Sequence, residues 1–499
     1  MINPGYPFLF GVYGKRPTHD MVSLLKRSGA CGILLLARNI ETPEQTRALT
    51  QELTQRLGRP LLFAVDHEGG WVLRFKKGLT AFPGNAALGK TGNEKLSYAV
   101  GRQMALELSR LGIGLNLAPV LDVATAKYNP GLGIRSFGRD PKLVARMGAA
   151  FILGLQENGV SACAKHFPGK GAATVDAHVE LATIRLERRA FEQAHLYPFK
   201  TAVQSGVDCV MTSHVRFPAL DGAPATFSSK ITHKLLRQRL GFKGVVISDD
   251  LCMGAVTQSR PVQTAAVEAL KAGHDLLIIA HDLQAQRESA ELLAHAIEDR
   301  LIDRQSVKSS CRRIADLIGK RRPRQKPCSA IKGESLCRQI AEKSIEAIRE
   351  GTLKLPLKPN GKAPLLLVPD FAEVQDRFTF EGGPRAPERL IKDFASGWGP
   401  ARLRRAPVKS NDIRGLEEEI RKAPRILFFC FEAMRFPGQN HILKLLMKWA
   451  SDKTAVCLIR NPWDLNLIKP GMTVLDAYGY RHCQLRAALG RLLCPGENQ

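Results

Sequence analysis

Residues 164–178, AKHFPGKGAATVDAH, set Lys165, His166, Asp176 and His178 around a turn of Pro168, Gly169, Lys170 and Gly171. In an extended loop the side chains at i and i+2 share a face, so Asp176 can hold one imidazole nitrogen of His178 and aim the other at a substrate. That pairing is general acid/base chemistry: the carboxylate sets the tautomer and stabilises the imidazolium while the ring moves the proton. Asp249, the first aspartate of GVVISDD at 244–250, supplies a nucleophile. One carboxylate nucleophile, one proton-transfer group and several fixed hydrogen-bond donors suit retaining glycoside hydrolysis through a covalent glycosyl-enzyme. Most such enzymes use a second carboxylic acid where a histidine stands here. A metal set of His166, Asp176, His178, His214 and Asp249 is the competing assignment. It is disfavoured because FLFGV at 8–12 offers no His-x-His pair and Lys165 would set a cation against the metal. Neither metal nor cofactor is expected.

These groups need a scaffold that gathers them. Eight short apolar runs alternate with helical patterns: FLFGV (8–12), CGILLLA (31–37), PLLFAVD (60–66), GLNLAPVLD (114–122), SACAKHF (161–167), DCVMTSH (208–214), GVVISDD (244–250) and DLLIIAH (275–281). Their spacing predicts an α/β fold, a (β/α)8 TIM-type barrel, whose active site lies at the carboxyl ends of the strands. Toward the carboxyl ends of the runs one meets Arg38, Asp66, Asp122, Lys165 with His166, His214, Asp249 with Asp250, and His281. A core strand has no packing reason to finish on a charge. Asp122 and Asp250 read as helix caps, whereas Asp66 and Asp249 each end a nearly continuous apolar strand. His214 and His281 divide evenly between pocket lining and satisfied core bonds, and Arg38 reads as a loop holder.

The 499 residues predict three segments: a catalytic barrel over 1–318, a basic linker and helix over 319–362, and a smaller α/β open-sheet sandwich domain over 363–499. The third is signalled by PLLLVPD, RILFFCFEA, TAVCLIRNPWDL and MTVLDAYGY. Eleven scattered cysteines without CxxC pairs, and a start lacking the pattern of a secretory signal, point to a cytoplasmic protein. No run of about 18 uncharged apolar residues argues for a membrane span. A net charge of +26 would attract anionic partners without identifying one. GKRRPRQKP at 319–327 reads as a solvated linker, so no specific nucleic acid is expected as a partner.

KHFPGKGAATVDAH and VVISDDLCMGAV resemble the signatures of family 3 glycoside hydrolases, most of all the bacterial beta-N-acetylglucosaminidases (beta-hexosaminidases) of peptidoglycan recycling. GILLLARNIETPEQTRALTQEL, AVDHEGGWVLRF, LNLAPVLDV, GIRSFGRDP and FSSKITHKLLRQRLGFKGVVISDD extend the match over about residues 5–350. The resemblance implies Asp249 as nucleophile, His178 as acid/base and Asp176 as its dyad partner. It also implies Asp66, Arg74, Arg135, Lys165 and His166 as substrate-binding residues. The expected activity is a retaining exo-beta-N-acetylglucosaminidase releasing terminal GlcNAc from a small carbohydrate substrate, a muropeptide or other cell-wall fragment. Beta-N-acetylglucosaminide phosphorolysis, beta-glucosidase activity and non-catalytic glycan binding are the alternatives. The chain departs from the family pattern at Lys170, where a second histidine is usual, at Ala172 and Ala173 for Asp-Thr, at Ala177 for serine, and at Trp71, where an arginine commonly follows EGG. The last 41 residues are similar to the C-terminal sandwich domain of longer family members, expected to be structural or a wall for the pocket.

Overall fold

Apolar runs of five to nine residues are too short for helices and long enough for strands buried on both faces. All eight form one closed parallel barrel: β1 (Tyr6–Gly11), β2 (Ala30–Leu35), β3 (Leu62–Val65), β4 (Leu115–Asn116), β5 (Ser161–Phe167), β6 (Cys209–Thr212), β7 (Val245–Asp250) and β8 (Leu276–Ile279). Each pairs with its neighbours in sequence, and β1 closes on β8 through Phe8–Leu277, Leu9–Ile278 and Phe10–Ile279. The structure, a computed structural model, describes residues 6–494 except 76, 178, 321–329, 360, 361, 377, 379, 382, 400, 411, 412 and 414. His178 and most of the basic run at 319–327 lie outside the described residues.

The run at 114–122 yields the shortest strand, because Pro119 has no amide to give to a ladder. The chain still follows β5: Cys163 donates to the Ala118 carbonyl at 2.9 Å, Lys165 to Pro119 at 3.1 Å, and Leu121 to Lys165 at 2.6 Å. Helices around the barrel start where short polar side chains accept first-turn amides. Thr18, Thr42, Asn93, Asp140, Asp282 and Asp303 all do so, each contributing about 1 kcal/mol.

Leu9, Leu62, Leu115, Met211, Ile247 and Ile278 fill the barrel, and Ile314, Leu317 and Ile318 of helix Arg304–Gly319 join that core. Fully buried Asp275 pins this helix to the barrel. Its Oδ1 accepts from Ser310 Oγ at 2.8 Å and from Arg313 Nε at 3.0 Å, while its Oδ2 accepts from the Val246 amide at 2.8 Å and from Arg237.

The chain divides into two compact units. The barrel unit comprises 1–68, 92–132 and 136–330; the second comprises 69–91, 133–135 and 331–499. The second unit therefore begins before residue 363 and takes in two stretches from the first third of the chain. Its sheet holds six strands: β9 (Glu346–Arg349), β10 (Leu365–Pro369), β11 (Arg402–Ala406), β12 (Ile426–Cys430), β13 (Thr454–Leu458) and β14 (Thr473–Asp476), in the order β9-β14-β13-β12-β10-β11. All pairings are parallel except β9 with β14. Alternate side chains feed two cores: Leu366, Val368, Leu427 and Phe429 on one face, Leu365, Leu367, Ile426 and Phe428 on the other. Among the described residues no helix is long and apolar enough to cross a membrane.

Candidate active site

Lys165 leaves β5 with only 2% of its side chain exposed. A buried ammonium requires partners. Its Nζ has two: Asp66 Oδ1 at 2.8 Å, just beyond β3, and Glu68 Oε1 at 2.6 Å. Glu68 is as deeply buried as the lysine, whereas the Asp66 side chain is 18% exposed and faces the mouth. Glu68 has no place in the sequence-derived site. It lies in the EGG turn beyond the strand run, and its contact with Lys165 gives it a role.

His166 points to the opposite anchor. Its Nδ1 lies 2.7 Å from Oδ2 of Asp122, which is fully buried and also accepts the Lys170 amide on Oδ1 at 2.6 Å. Asp122 is therefore no helix cap. It orients the imidazole and fixes the turn beyond Pro168, because a carboxylate without solvent gathers whatever donors reach it.

The loop that follows is docked on three sides. Gly169 has φ +120 and Gly171 lies so close to the chain that a Cβ would fall 1.7 Å from the Val123 carbonyl oxygen. Ala126 donates to the Gly171 carbonyl at 3.2 Å and Asn129 Nδ2 to that of Lys170 at 3.1 Å. The Asp176 carboxylate packs against Gly131, where a Cβ would meet Oδ1 at 3.2 Å. Ala255 then donates to the Ala177 carbonyl at 3.1 Å, and Ala177 shares an apolar cluster with Met253 and Ala255. Beyond it, Ala182–Thr183 pairs with Val215–Phe217 after β6. The glycines serve close approach as well as bending.

Asp249 ends β7 partly exposed, with the Asp250 amide donating to its Oδ1 at 3.0 Å. Asp66, Lys165 and Asp249 all act on the buried Cys163 thiol. Burial raises its pKa most, Lys165 opposes the rise and the two carboxylates add to it. Asp250 turns away, accepting the amides of Cys252 at 3.1 Å and Ala280 at 3.0 Å. It caps a turn and ties β7 to β8; burial raises its carboxyl pKa against those two donors. His214 is bonded at both nitrogens, to Thr226 Oγ1 at 2.6 Å and to the Asp250 carbonyl at 3.0 Å. Burial lowers its pKa, and Thr226 Oγ1 also donates to the Ser213 carbonyl at 3.2 Å. His281 is exposed, and its Nδ1 lies 3.1 Å from Arg38 NH1, whose Nε donates to the Val12 carbonyl at 2.8 Å; Arg38 holds a loop.

Arg74 and Arg135 belong to the second unit. There Asn85 Nδ2 donates to the Arg135 carbonyl at 2.8 Å, joining 133–135 to 69–91.

A family model described as Glycosyl hydrolase family 3 N terminal domain matches residues 8–317. The chain belongs to glycosyl hydrolase family 3. A beta-hexosaminidase of Hydrogenovibrio crunogenus is 40% identical over 257 residues, 50% of this chain and 72% of that protein. A family 3 beta-N-acetylglucosaminidase from Paenibacillus sp. str. FPU-7 has a TM-score of 0.89 at 31% identity, covering 98% of this chain and 95% of that one. A beta-glucoside phosphorylase shares the fold, with TM-score 0.80 at 20% identity over 98% and 90% of the two chains.

For a family 3 glycoside hydrolase, the barrel mouth supplies three kinds of chemistry. Asp249 offers a carboxylate at a strand end. Asp66 and Lys165 set an acceptor and a donor in fixed geometry. Asp122 with His166 adds an oriented ring.

Proposed function

We propose that this glycoside hydrolase is a retaining exo-beta-N-acetylglucosaminidase. Asp249 attacks the anomeric carbon as the glycosidic C–O bond breaks, and His178 gives its proton to the leaving oxygen. Water then attacks the same carbon, returns a proton to His178 and releases the Asp249 carboxylate, so the product keeps the β configuration. Asp176 orients the ring of His178, and Asp66, Lys165 and His166 bind the terminal sugar. The reading draws its substrate from the names of the hexosaminidase relatives, with a cell-wall fragment as the natural source and the cytoplasm as the compartment.

One observation carries it. The bond from the Ala255 amide to the Ala177 carbonyl, 3.1 Å long, ties the Asp176 loop to the turn just after Asp249. A nucleophile and an acid/base on opposite sides of one glycosidic bond need such an arrangement.

Hydrolysis of an aryl beta-N-acetylglucosaminide beside the matching beta-glucoside tests the reading. Preference for the acetamido sugar, loss of roughly four orders of magnitude in Asp249→Ala, and residual turnover of an activated aryl substrate by His178→Ala support it. Full activity of Asp249→Ala refutes the assignment. Sugar 1-phosphate formed in phosphate buffer moves the reaction to phosphorolysis.

A further inference from the structure

In the second unit, β11-β10-β12-β13-β14 has the strand order 2-1-3-4-5 of a doubly wound sheet. Such sheets bind ligands outside the carboxyl ends of the strands, where the order reverses, here between β10 and β12. That crevice is filled by the protein itself. Phe371 after β10 and Phe431 after β12 pack edge to face at 5.4 Å. Arg460, from the turn after β13, lies 5.3 Å from the Phe431 ring, 4.0 Å from Phe378 and 3.6 Å from Trp71.

Arg460 is 3% exposed and its Nε pairs with fully buried Glu432. Glu432 takes a left-handed conformation, φ 55, and also accepts from Asn461 Nδ2 at 2.7 Å. A non-glycine residue in that region is held there by its surroundings. Trp71 is wedged in turn, since a Cβ on Gly133 would meet its ring at 2.2 Å. One residue earlier, the Gly70 carbonyl accepts from Arg481 Nε at 2.6 Å. The same turn is fastened at its start within the barrel unit: the His67 amide donates to Asn116 Oδ1 at 3.0 Å, and Asn116 Nδ2 donates to the His67 carbonyl at 2.9 Å. Between the fastenings lies Glu68, which holds Lys165.

We propose that Arg460 is a positioning residue for the hydrolase, acting through Trp71: the Glu432–Arg460–Trp71 stack fixes the turn that follows β3 and thereby the Asp66 and Glu68 carboxylates that set Lys165. The second unit's crevice thus holds a turn of its own unit where doubly wound sheets hold a ligand. The inference rests on the proposed hydrolysis for its kinetic readout.

The test uses the full chain with Trp71→Ala, Trp71→Phe, the charge-neutral pair Glu432→Gln/Arg460→Met, and the combination of that pair with Trp71→Ala. Removing both charges together avoids stranding a buried carboxylate. On the aryl beta-N-acetylglucosaminide, Trp71→Ala and the charge-neutral pair each raise KM about fivefold to tenfold with kcat within threefold, because loosened ground-state contacts appear in KM. Trp71→Phe, which keeps a ring under the guanidinium, restores KM to within twofold, and the combined variant is no worse than either part, as expected of one device. Hydrogen exchange in residues 67–75 rises in the same variants and needs no substrate. Unchanged KM and exchange in a folded charge-neutral pair overturn the proposal. So do additive effects, or a fall in kcat alone in proportion to lost folded protein. Failure of the wild type to cleave the aryl sugar refutes the hydrolysis, while the exchange measurement still tests the stack.

Discussion

His166 Nδ1 lies 2.7 Å from Asp122 Oδ2, and the other oxygen of the same carboxylate takes the Lys170 amide at 2.6 Å. One buried group thus sets the end of β5 and the start of the loop that carries Asp176. Asp122→Asn keeps the shape but replaces an acceptor-only group with one that is half donor. Steady-state kinetics should show a loss of at least ~tenfold in kcat/KM, about 1.4 kcal/mol. Wild-type kinetics would deny the anchor its role.

Lys165 carries a single charge between two carboxylates, so its partners are not equivalent. Lys165→Met removes the cation that both Asp66 and Glu68 contact, a loss of about 3–5 kcal/mol by the precedent of broken buried pairs. Asp66→Asn leaves the buried Lys165–Glu68 pair intact and should cost less stability while still raising KM. Denaturant unfolding of both variants checks the order, and a smaller loss for Lys165→Met contradicts it.

Gly171→Ala adds a methyl group 1.7 Å from a carbonyl oxygen of Val123, a position held by backbone on both sides. The loop must lift from its dock, and kcat/KM should fall at least ~tenfold with a lowered melting temperature. Ala172→Gly, the neighbouring position, is the control.

Much of this was legible beforehand, and the remainder was hidden for physical reasons. The eight barrel strands announce themselves because burial on both faces makes each an apolar run. Four strands of the second sheet do so too. The other two, EAIR at Glu346–Arg349 and RLRRA at Arg402–Ala406, are edge strands whose charges discourage further pairing and erase the apolar signal. Asp66 and Lys165 stood out as charges ending apolar strands. Asp122 read as a cap because caps and anchors use the same residue. Glu68 and the Trp71 stack were invisible, since no local pattern encodes a partner such as Arg481, 411 positions from Gly70.

Two pairs of buried groups, one pair in each unit, should respond to pH with opposite sign. In the second, burial raises the Asp476 carboxyl to about 7 and Asp464 to about 6. Between about pH 4 and 7 the folded state holds protons the unfolded chain has lost, so stability from these groups falls as pH rises. In the barrel, burial holds His274 and His195 down to about 4. There the unfolded chain binds protons first, and stability falls as pH drops from about 6.5 to 4. Asp476→Asn, whose side-chain oxygen can still accept the Tyr478 amide, should flatten the second unit's dependence between pH 4 and 7. An unchanged slope in pH-dependent unfolding contradicts the assignment.

The central claim is that Asp249 bonds covalently to the sugar. It is tested most directly by trapping the intermediate with a fluorinated N-acetylglucosaminide bearing an activated leaving group, then mapping the adduct by peptide mass spectrometry. The account predicts one added sugar on Asp249 and none in Asp249→Ala. An adduct on another residue, or turnover with inverted anomeric configuration and no adduct, would contradict it.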